Sequence, residues 1–165
     1  MTGARRREIE FIARGICIRA DRVLLCHSRG QPIFYLPGGH IEFGEGARAA
    51  LEREVREELG RSSRAGVLVG ALEHFFQGRR RMHAEVNLLF ELRIAGLSAA
   101  RAPTAAEPEL EFVWAPLDRL AEWPLEPAPL RTLLPSWRLN PQAGAVWRST
   151  IERRRAGSAP RKKAR

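Results

Sequence analysis

A short segment in the first third of the chain holds five charged residues whose types and spacing could bind a divalent cation. The segment reads GHIEFGEGARAALEREVREELG and spans residues 39–60. Its candidate residues are four carboxylates around one arginine: Glu45, Arg53, Glu54, Glu57 and Glu58. Mg²⁺ prefers oxygen ligands and often needs only a few carboxylates together with phosphate oxygens. A cation held in this way could neutralise anionic oxygens and activate water, so the chemistry to consider is metal-assisted catalysis.

A helix is needed to hold these carboxylates, and the sequence predicts one over residues 47–59. Leu51, Val55 and Leu59 recur every fourth residue, and the surrounding alanines and glutamates favour helix. Gly60 can adopt the left-handed conformation that ends a helix. The three apolar residues form a stripe that would dock the helix on a sheet.

On that helix Glu54, Glu57 and Glu58 stand at i, i+3 and i+4, so their side chains project from one patch. Three like charges there repel each other, and a bound cation would reverse that effect. Arg53 could pair with Glu57 one turn further on, or reach back to Glu45, since its planar fork suits two carboxylates. Taken alone, a Glu- and Arg-rich helix is usually a solvated amphipathic helix. The upstream glycine and glutamate at fixed offsets favour a site.

The whole segment resembles the signature of the Nudix hydrolases, which cut pyrophosphate links in nucleoside diphosphates joined to another group. The resemblance lies in the spacing: Gly39, five residues, Glu45, seven residues, Arg53-Glu54-Val55, one residue, Glu57-Glu58, one residue and Gly60. The chain departs from the family pattern at Arg61, where an aliphatic residue is usual. That departure concerns packing beyond the helix more than the chemistry.

The resemblance implies roles for the residues of the segment. The resemblance implies that the metal is bound by one backbone carbonyl and three carboxylates, those of Gly39, Glu54, Glu57 and Glu58. Glu45 and Arg53 become the supporting pair, and either Glu57 or Glu54 becomes the catalytic base. The expected cofactor is Mg²⁺ or Mn²⁺. Sequence features typical of several other Nudix subtypes are missing, so the chain resembles the small, MutT-type group of the family.

A second candidate site follows from alternation along residues 82–90. His83, Glu85 and Asn87 share one face of this predicted strand with Leu89, whereas the other face is apolar and predicted to be core. The polar face could line the cleft, with Glu85 as a further metal ligand or base and with His83 and Asn87 as donors to phosphate or ribose. A sheet edge facing water explains the pattern equally well.

Two adjacent aromatic residues add a possible contact with a nucleobase. Phe75 and Phe76 point to opposite faces of their predicted strand. We assign base stacking to Phe75, and a core role for both residues is the alternative.

The predicted elements make an α/β chain with strands that mix with helices without strict alternation. The resemblance implies the same fold class, a Nudix α/β/α sandwich with a mixed β-sheet between helices. The strands are predicted at 11–19 and 22–28 (as a hairpin), 33–36, 40–43, 67–76, 82–94 and 110–114, and a terminal helix at 130–139. Residues 95–108 are predicted to be a surface loop.

The two cysteines are predicted to be free thiols. In the expected hairpin Cys17 would face Leu24 and Cys26 would face Gly15, so the sulfur atoms would not be cross-strand partners. Free thiols agree with a reducing compartment.

Length and charge limit the possible domain organisation of the chain. With 165 residues the chain is long enough for one domain, expected over residues 9–151. Residues 1–8 and 152–165 hold ten of the 28 basic and two of the 19 acidic residues, so the net charge of +9 lies almost wholly in two basic tails. We expect the tails to be disordered and solvated. No apolar run approaches the roughly 18 residues that a membrane span needs, and no secretory signal is evident, so we expect a cytoplasmic protein with no membrane partner.

The leading prediction is therefore a metal-dependent hydrolase that cleaves the pyrophosphate bond of a nucleoside di- or triphosphate derivative. An NTP, a damaged nucleotide or a nucleotide sugar would each suit it as a small-molecule substrate. One alternative is an RNA 5′-pyrophosphohydrolase whose basic tails bind nucleic acid. Another is a non-catalytic Nudix-fold sensor that binds a nucleotide and regulates transcription. A homodimer is also possible.

Overall fold

The fold consists of seven strands and three helical segments in the part of the chain that the structure describes, residues 8–78, 82–141 and 143–151. The structure is a computed structural model. The strands are β1 (Glu10–Ile16), β2 (Ile18–Arg19), β3 (Arg22–Ser28), β4 (Ser63–Gln77), β5 (Met82–Ile94), β6 (Leu110–Pro116) and β7 (Val146–Ser149). The helices are α1 (Ala47–Leu59), α2 (Leu130–Leu139) and a 3₁₀ helix (Leu117–Glu122).

The strands form two hydrogen-bonded sheets. The larger sheet is mixed and has the order β1-β5-β4-β7, in which β1 and β5 are parallel, β5 and β4 antiparallel, and β4 and β7 parallel. The smaller sheet, β2-β3-β6, is antiparallel. The predicted α/β class with a mixed sheet is confirmed, and its strands divide into two sheets.

The buried apolar residues form two clusters, and each of the two α-helices packs in a different one. Leu51 and Val55 of α1 pack with Phe90 of β5 in one cluster, whereas Leu130 of α2 packs with Leu89 in the other. Neighbouring residues of β5 enter different cores because successive side chains of a strand point to opposite faces. The helices therefore lie on opposite sides of the strands, as an α/β/α sandwich requires.

The predicted helix over residues 47–59 is confirmed as α1. Gly60 has φ 64° and its N–H donates to the Arg56 carbonyl, so the helix ends in the left-handed conformation that glycine allows. The terminal helix over 130–139 is likewise confirmed as α2, with Pro135 inside it.

The predicted hairpin of residues 11–19 with 22–28 is largely wrong. β1 pairs in parallel with β5, so that Ile12 lies opposite Asn87, and only Ile18–Arg19 pairs with β3. Ala20 and Asp21 do form the turn, with φ 47° and 54°. A strand more distant in sequence offers β1 a longer ladder than its neighbour does.

This pairing also corrects the neighbours predicted for one cysteine. Cys26 lies opposite Phe112 and Tyr35, and Gly15 lies opposite Phe90 instead. Both cysteines are buried and free, as predicted.

The remaining predictions about elements are met in part. The 33–36 and 40–43 segments form only single bridges, through Phe34, Tyr35 and His40, and β7 and the 3₁₀ helix were not anticipated. The face of β5 predicted to be core is buried at Phe90 but 47% exposed at Met82, because α1 covers only one end of the sheet. Residues 79–81, between the predicted strands 67–76 and 82–94, and the predicted tails at 1–7 and 152–165 lie outside the described residues. None of the described helices is long and apolar enough to cross a membrane.

Candidate active site

Arg53 is the centre of the carboxylate cluster. Its Nε and Nη2 donate to the two oxygens of Glu45 at 3.0 and 3.1 Å, and its Nη1 donates to Glu54 Oε1 at 2.9 Å and to Glu57 Oε2 at 3.0 Å. Nη2 also donates to the His40 carbonyl at 3.0 Å. These hydrogen bonds, that to Glu45 foremost, raise the pKa of Arg53 and lower the pKa of Glu45. One arginine thus fixes three acids and the loop that follows Gly39.

The Glu54 carboxylate lies against the backbone of Gly39. A Cβ atom at Gly39 would stand 2.5 Å from the Glu54 carboxyl carbon. Only glycine therefore leaves room for the carboxylate at this position. Glu54 Oε1 is held by Arg53, and Oε2 is turned to the glycine.

Glu58 points away from Glu57 and into the protein. Its side chain is 6% exposed, and its Oε2 accepts a hydrogen bond from the Gly38 N–H at 3.2 Å. Burial raises the pKa of Glu58 to about 8, although the nearby Arg14 charge and the Gly38 hydrogen bond act in the opposite direction. A buried carboxylate of this kind is stabilised in its charged form by a cation.

Arg14 connects this cluster to a neighbouring pocket. Its Nη1 donates to the carbonyls of Leu36, at 3.0 Å, and of Gly38. Its guanidinium lies over the Tyr35 ring, with 5.1 Å between Cζ and the ring centroid, and Nε reaches Asn87 Oδ1 at 3.5 Å. Sequence reasoning missed Arg14, although a charged residue inside the apolar alternation of β1 was a usable signal.

The pocket has a volume of about 420 Å³ and mostly apolar walls. These walls come from several elements, among them Tyr35, Leu72, Phe76, Leu89 and Leu130. Such a cavity suits a flat, largely apolar group whose edge carries a few polar atoms.

Polar groups converge in the same pocket. Arg14, His74, Glu85, Asn87 and Glu126 all line it. Asn87 is 1% exposed and donates from Nδ2 to Glu85 Oε2 at 3.1 Å. Burial lowers the pKa of His74, against the charges of Glu85 and Glu126.

The structure therefore brings Glu85 and Asn87 to the pocket, on the polar face that alternation identified. His83 is not among the lining residues. It bonds Glu10 through Nδ1 at 3.2 Å and stacks on Phe76 with 5.0 Å between the ring centroids.

The assignment of base stacking to Phe75 does not match the geometry. Phe75 is 48% exposed and lies outside the pocket, and Phe76 lines it. The two residues do point to opposite faces of β4, and the pocket lies on the face of Phe76.

Comparison with known proteins agrees with this arrangement. The profile of the NUDIX domain matches residues 10–135, so the chain belongs to the NUDIX family. It is a Nudix-type pyrophosphohydrolase, and members of the family act on nucleotide derivatives and generally use divalent metals.

Several solved structures are similar to this chain. The solution structure of the Escherichia coli ORF135 protein has 25% identity and a TM-score of 0.62, with 84% of this chain and 96% of that chain covered. A MutT NUDIX hydrolase from Burkholderia pseudomallei has 24% identity and a TM-score of 0.53 over 68% and 86% of the two chains. An ADP-ribose pyrophosphatase from Streptococcus suis has 20% identity and a TM-score of 0.56 over 85% and 98%.

The donor set fits a hard divalent cation. Oxygen atoms of Glu54, Glu57 and Glu58 and the carbonyl of Gly39 are the ligand types that Mg²⁺ and Mn²⁺ take. The Glu54 carboxylate occupies the space beside Gly39 that a Cβ would fill, and the Gly39 carbonyl accepts a hydrogen bond from the Ala13 N–H at 2.9 Å. Among the described residues no group of three acidic, histidine or cysteine side chains converges as a metal site.

Proposed function

We propose that this enzyme hydrolyses the pyrophosphate bond of a nucleoside di- or triphosphate derivative, either an NTP, a damaged nucleotide or a nucleotide sugar. The observation that carries the proposal is the link between the carboxylate cluster and the pocket at Gly38. The Gly38 N–H donates to Glu58, and its carbonyl accepts from Arg14, which lines the pocket. A ligand that fills the pocket and extends past Gly38 would present its phosphates to the carboxylates.

The pocket supports a nucleoside as the part of the substrate that is held. Tyr35 and Phe76 offer aromatic surfaces to a nucleobase, and Asn87 and Glu85 offer an amide and a carboxylate to polar atoms at its edge. Arg14 adds a positive charge on the side toward Gly38, where a polyphosphate would leave the pocket. His83 stacks on the Phe76 ring and is a positioning residue in this proposal.

The residues that would hold the cation are Gly39, through its carbonyl, and Glu54, Glu57 and Glu58. Mg²⁺ or Mn²⁺ supplies neutralisation of the phosphate oxygens and a lowered pKa of bound water. Glu85 stays a candidate for a further ligand or base, since it lines the pocket beside Asn87.

Glu57 and Glu54 remain the two candidates for the base, and their surroundings differ. The Glu57 side chain is half exposed, so it meets solvent water directly, whereas Glu54 is confined between Arg53 and Gly39. This difference favours Glu57 as the group that takes the proton from the attacking water. Arg53 and Glu45 then act as positioning residues that hold both carboxylates.

The test is turnover of a substrate panel by the purified protein with Mg²⁺ or Mn²⁺, read as released phosphate or pyrophosphate. The panel contains nucleoside triphosphates, oxidised nucleotides, dinucleotides, nucleotide sugars and a 5′-triphosphorylated RNA. We expect turnover of at least one nucleotide and a loss of about two orders of magnitude in Glu57→Gln, the scale of a positioned catalytic group.

Glu109→Gln is the matched control, because Glu109 is exposed and lies outside the cluster. Full activity of Glu57→Gln would remove the proposed role of Glu57. Nucleotide binding without turnover of any substrate would favour the sensor alternative, and turnover confined to the RNA would favour the 5′-pyrophosphohydrolase.

A further inference from the structure

A second cavity, which is polar, lies in the loop that follows β5, apart from the pocket described above. Its volume is about 180 Å³. It is lined by Arg61, just after the end of α1, and by residues 96–98 and 101–104. No lining residue belongs to the carboxylate cluster or to the nucleoside pocket. The chain departs from the Nudix signature at Arg61, and the proposed hydrolysis makes no use of that residue.

The lining chemistry is that of an oxyanion site. Arg61, Arg101, Ser98 and Thr104 line this cavity, and none of its lining residues is acidic. Arginine donates hydrogen bonds in a planar fork that matches the oxygens of phosphate. A cavity with two positive charges and no acid would attract a dianion in preference to a neutral ligand.

Both guanidinium groups keep donors available. Within the described residues the only hydrogen bond of the Arg61 side chain goes from Nη1 to the Ala95 carbonyl at 3.5 Å, the outer limit for such a bond. Arg101 makes no side-chain hydrogen bond or ion pair with any described residue.

The backbone of the loop is fixed in place, so the cavity exists before a ligand arrives. The Trp114 indole N–H donates to the Arg101 carbonyl at 3.1 Å, and Trp114 belongs to the buried core. The Ala106 N–H donates to the Glu58 carbonyl at 2.7 Å, which ties the far end of the loop to α1. Leu97 also packs against the core. A preformed cavity spares a ligand the entropy of ordering the loop.

Gly96 makes room for the Arg61 guanidinium. Its φ is +68°, and a Cβ at this residue would stand 3.0 Å from Arg61 Nη1. A side chain there would force the guanidinium to move away from the loop. The glycine thus serves both the turn and the placement of the positive charge.

We propose that this cavity binds a phosphate group, either as the free inorganic ion or as a phosphate monoester of a small molecule. The site is separate from the catalytic cluster and does not depend on the reaction proposed above. Arg61 and Arg101 supply the charge-assisted hydrogen bonds, and Ser98 and Thr104 supply hydroxyl donors.

The experiment is a titration of the full-length, ¹⁵N-labelled protein with inorganic phosphate, followed by amide and indole chemical shifts. EDTA keeps divalent metal out of the catalytic cluster, and sodium chloride holds the ionic strength constant. We expect saturable shifts of the Gly96, Ser98 and Thr104 amides and of the Trp114 indole. Arg61→Gln and Arg101→Gln should each weaken binding about tenfold, the loss expected when one charged hydrogen-bonding partner is removed.

Arg93→Gln is the matched control, because it removes the same charge from an exposed residue of β5 outside the cavity. Absence of saturable shifts would overturn the proposal. So would an affinity for phosphate in both Arg61→Gln and Arg101→Gln that equals that of the unchanged protein. A loss of affinity in Arg93→Gln as large as in these two variants would also overturn it, because it would indicate diffuse attraction. Two variants are used so that a disturbed loop in one, seen in its spectrum before titration, leaves the other to decide.

A parallel titration with glycerol 3-phosphate, a phosphate monoester that lacks the nucleoside for which the other pocket is proposed, identifies the source of the phosphate group. Tighter binding of the monoester, with the same dependence on Arg61 and Arg101, would identify an esterified ligand. Equal or weaker binding would identify the free ion. Both results support the site, and shifts of the monoester that do not depend on the two arginines count against it.

Discussion

Arg53 and Glu45 are joined by two parallel hydrogen bonds, from Nε to Oε1 at 3.0 Å and from Nη2 to Oε2 at 3.1 Å. This fork fixes the plane of the guanidinium, and the remaining donor, Nη1, is thereby directed to Glu54 and Glu57. Glu45 lies in a loop and the other two acids lie on α1. The pair therefore sets the position of the helix carboxylates relative to the glycine loop.

Arg53→Lys should lower kcat about ten- to hundredfold while the protein stays folded. Lysine keeps the charge but offers a single point of donation, so it cannot hold Glu45 in a fork and reach α1 together. A displacement of catalytic groups by about 1 Å lowers the rate by up to about a hundredfold. The measurement is steady-state kinetics with the best substrate of the panel.

Arg119→Lys is the control for this variant. On the surface and outside the site, Arg119 donates from Nε and Nη2 to the two oxygens of Glu122, in the same kind of fork. We expect no change in kcat there. An Arg53→Lys enzyme with the activity of the unchanged protein would show that the fork has no part in positioning.

Divalent metal should stabilise the protein against unfolding, through the cluster around Gly39. A ligand that binds only the folded state at about 100 times its Kd adds about 2.7 kcal/mol. We expect Mg²⁺ to raise the midpoint of thermal unfolding, and Glu54→Gln and Glu58→Gln to reduce that rise. The measurement is thermal unfolding by circular dichroism, in EDTA and with increasing Mg²⁺.

Glu109→Gln serves again as the control and should keep the full stabilisation. Glu58→Gln has a further expectation, because Glu58 is buried and its charge is unfavourable without a cation. In EDTA this variant should be at least as stable as the unchanged protein. Equal stabilisation by Mg²⁺ in all variants would place the metal elsewhere.

Local patterns predicted part of the fold well. α1 was predictable because its apolar residues repeat every fourth position and Gly60 supplies its end, and both features lie within 14 residues. The grouping of Glu45, Arg53 and Glu54 was also predictable, because these residues lie close together in the sequence. The structure brings these residues together through contacts within one loop and one helix.

Long-range pairing was the part that the sequence did not reveal. β1 has an adjacent partner in β3, yet it pairs with β5, about 75 residues further along the chain, and no feature of its own alternation distinguishes the two. Arg14 was missed for the same reason, since its partners Gly38 and Asn87 come from two distant segments. Alternation predicted that Phe75 and Phe76 point to opposite faces of the sheet. Which of these faces meets the pocket depends on the long-range pairing of the strands.

Phe76→Leu should raise KM about two- to tenfold with little change in kcat. The ring lines the pocket and stacks on His74 and His83, with 4.6 and 5.0 Å between centroids. Loss of aromatic stacking typically costs about 0.5–1.5 kcal/mol. Phe75→Leu is the matched control, because this neighbour points to the other face and should leave KM unchanged. A larger effect of Phe75→Leu than of Phe76→Leu would restore the original assignment of base stacking to Phe75.

The stability of the protein should depend on pH through His74. Burial lowers its pKa below the ordinary value near 6.5, the charge of Arg14 acts in the same direction, and the charges of Glu85 and Glu126 oppose it. The unfolded chain therefore takes up this proton at a higher pH than the folded protein does. Stability from neutral His74 is fully present above about pH 6.5 and is lost as pH falls through the lowered pKa.

The measurement compares urea unfolding of the protein and of His74→Gln at several pH values between 5 and 8. We expect the free energy of unfolding of the unchanged protein to fall, relative to the variant, as the pH drops below about 6.5. The difference between the two proteins should be constant above that range, because His74 is then neutral in both the folded and the unfolded states. His27→Gln is a control for the loss of an imidazole outside the pocket, on β3. A difference that grows in favour of the unchanged protein on acidification would mean that His74 gains stability from its proton, and that the carboxylates of the pocket outweigh its burial.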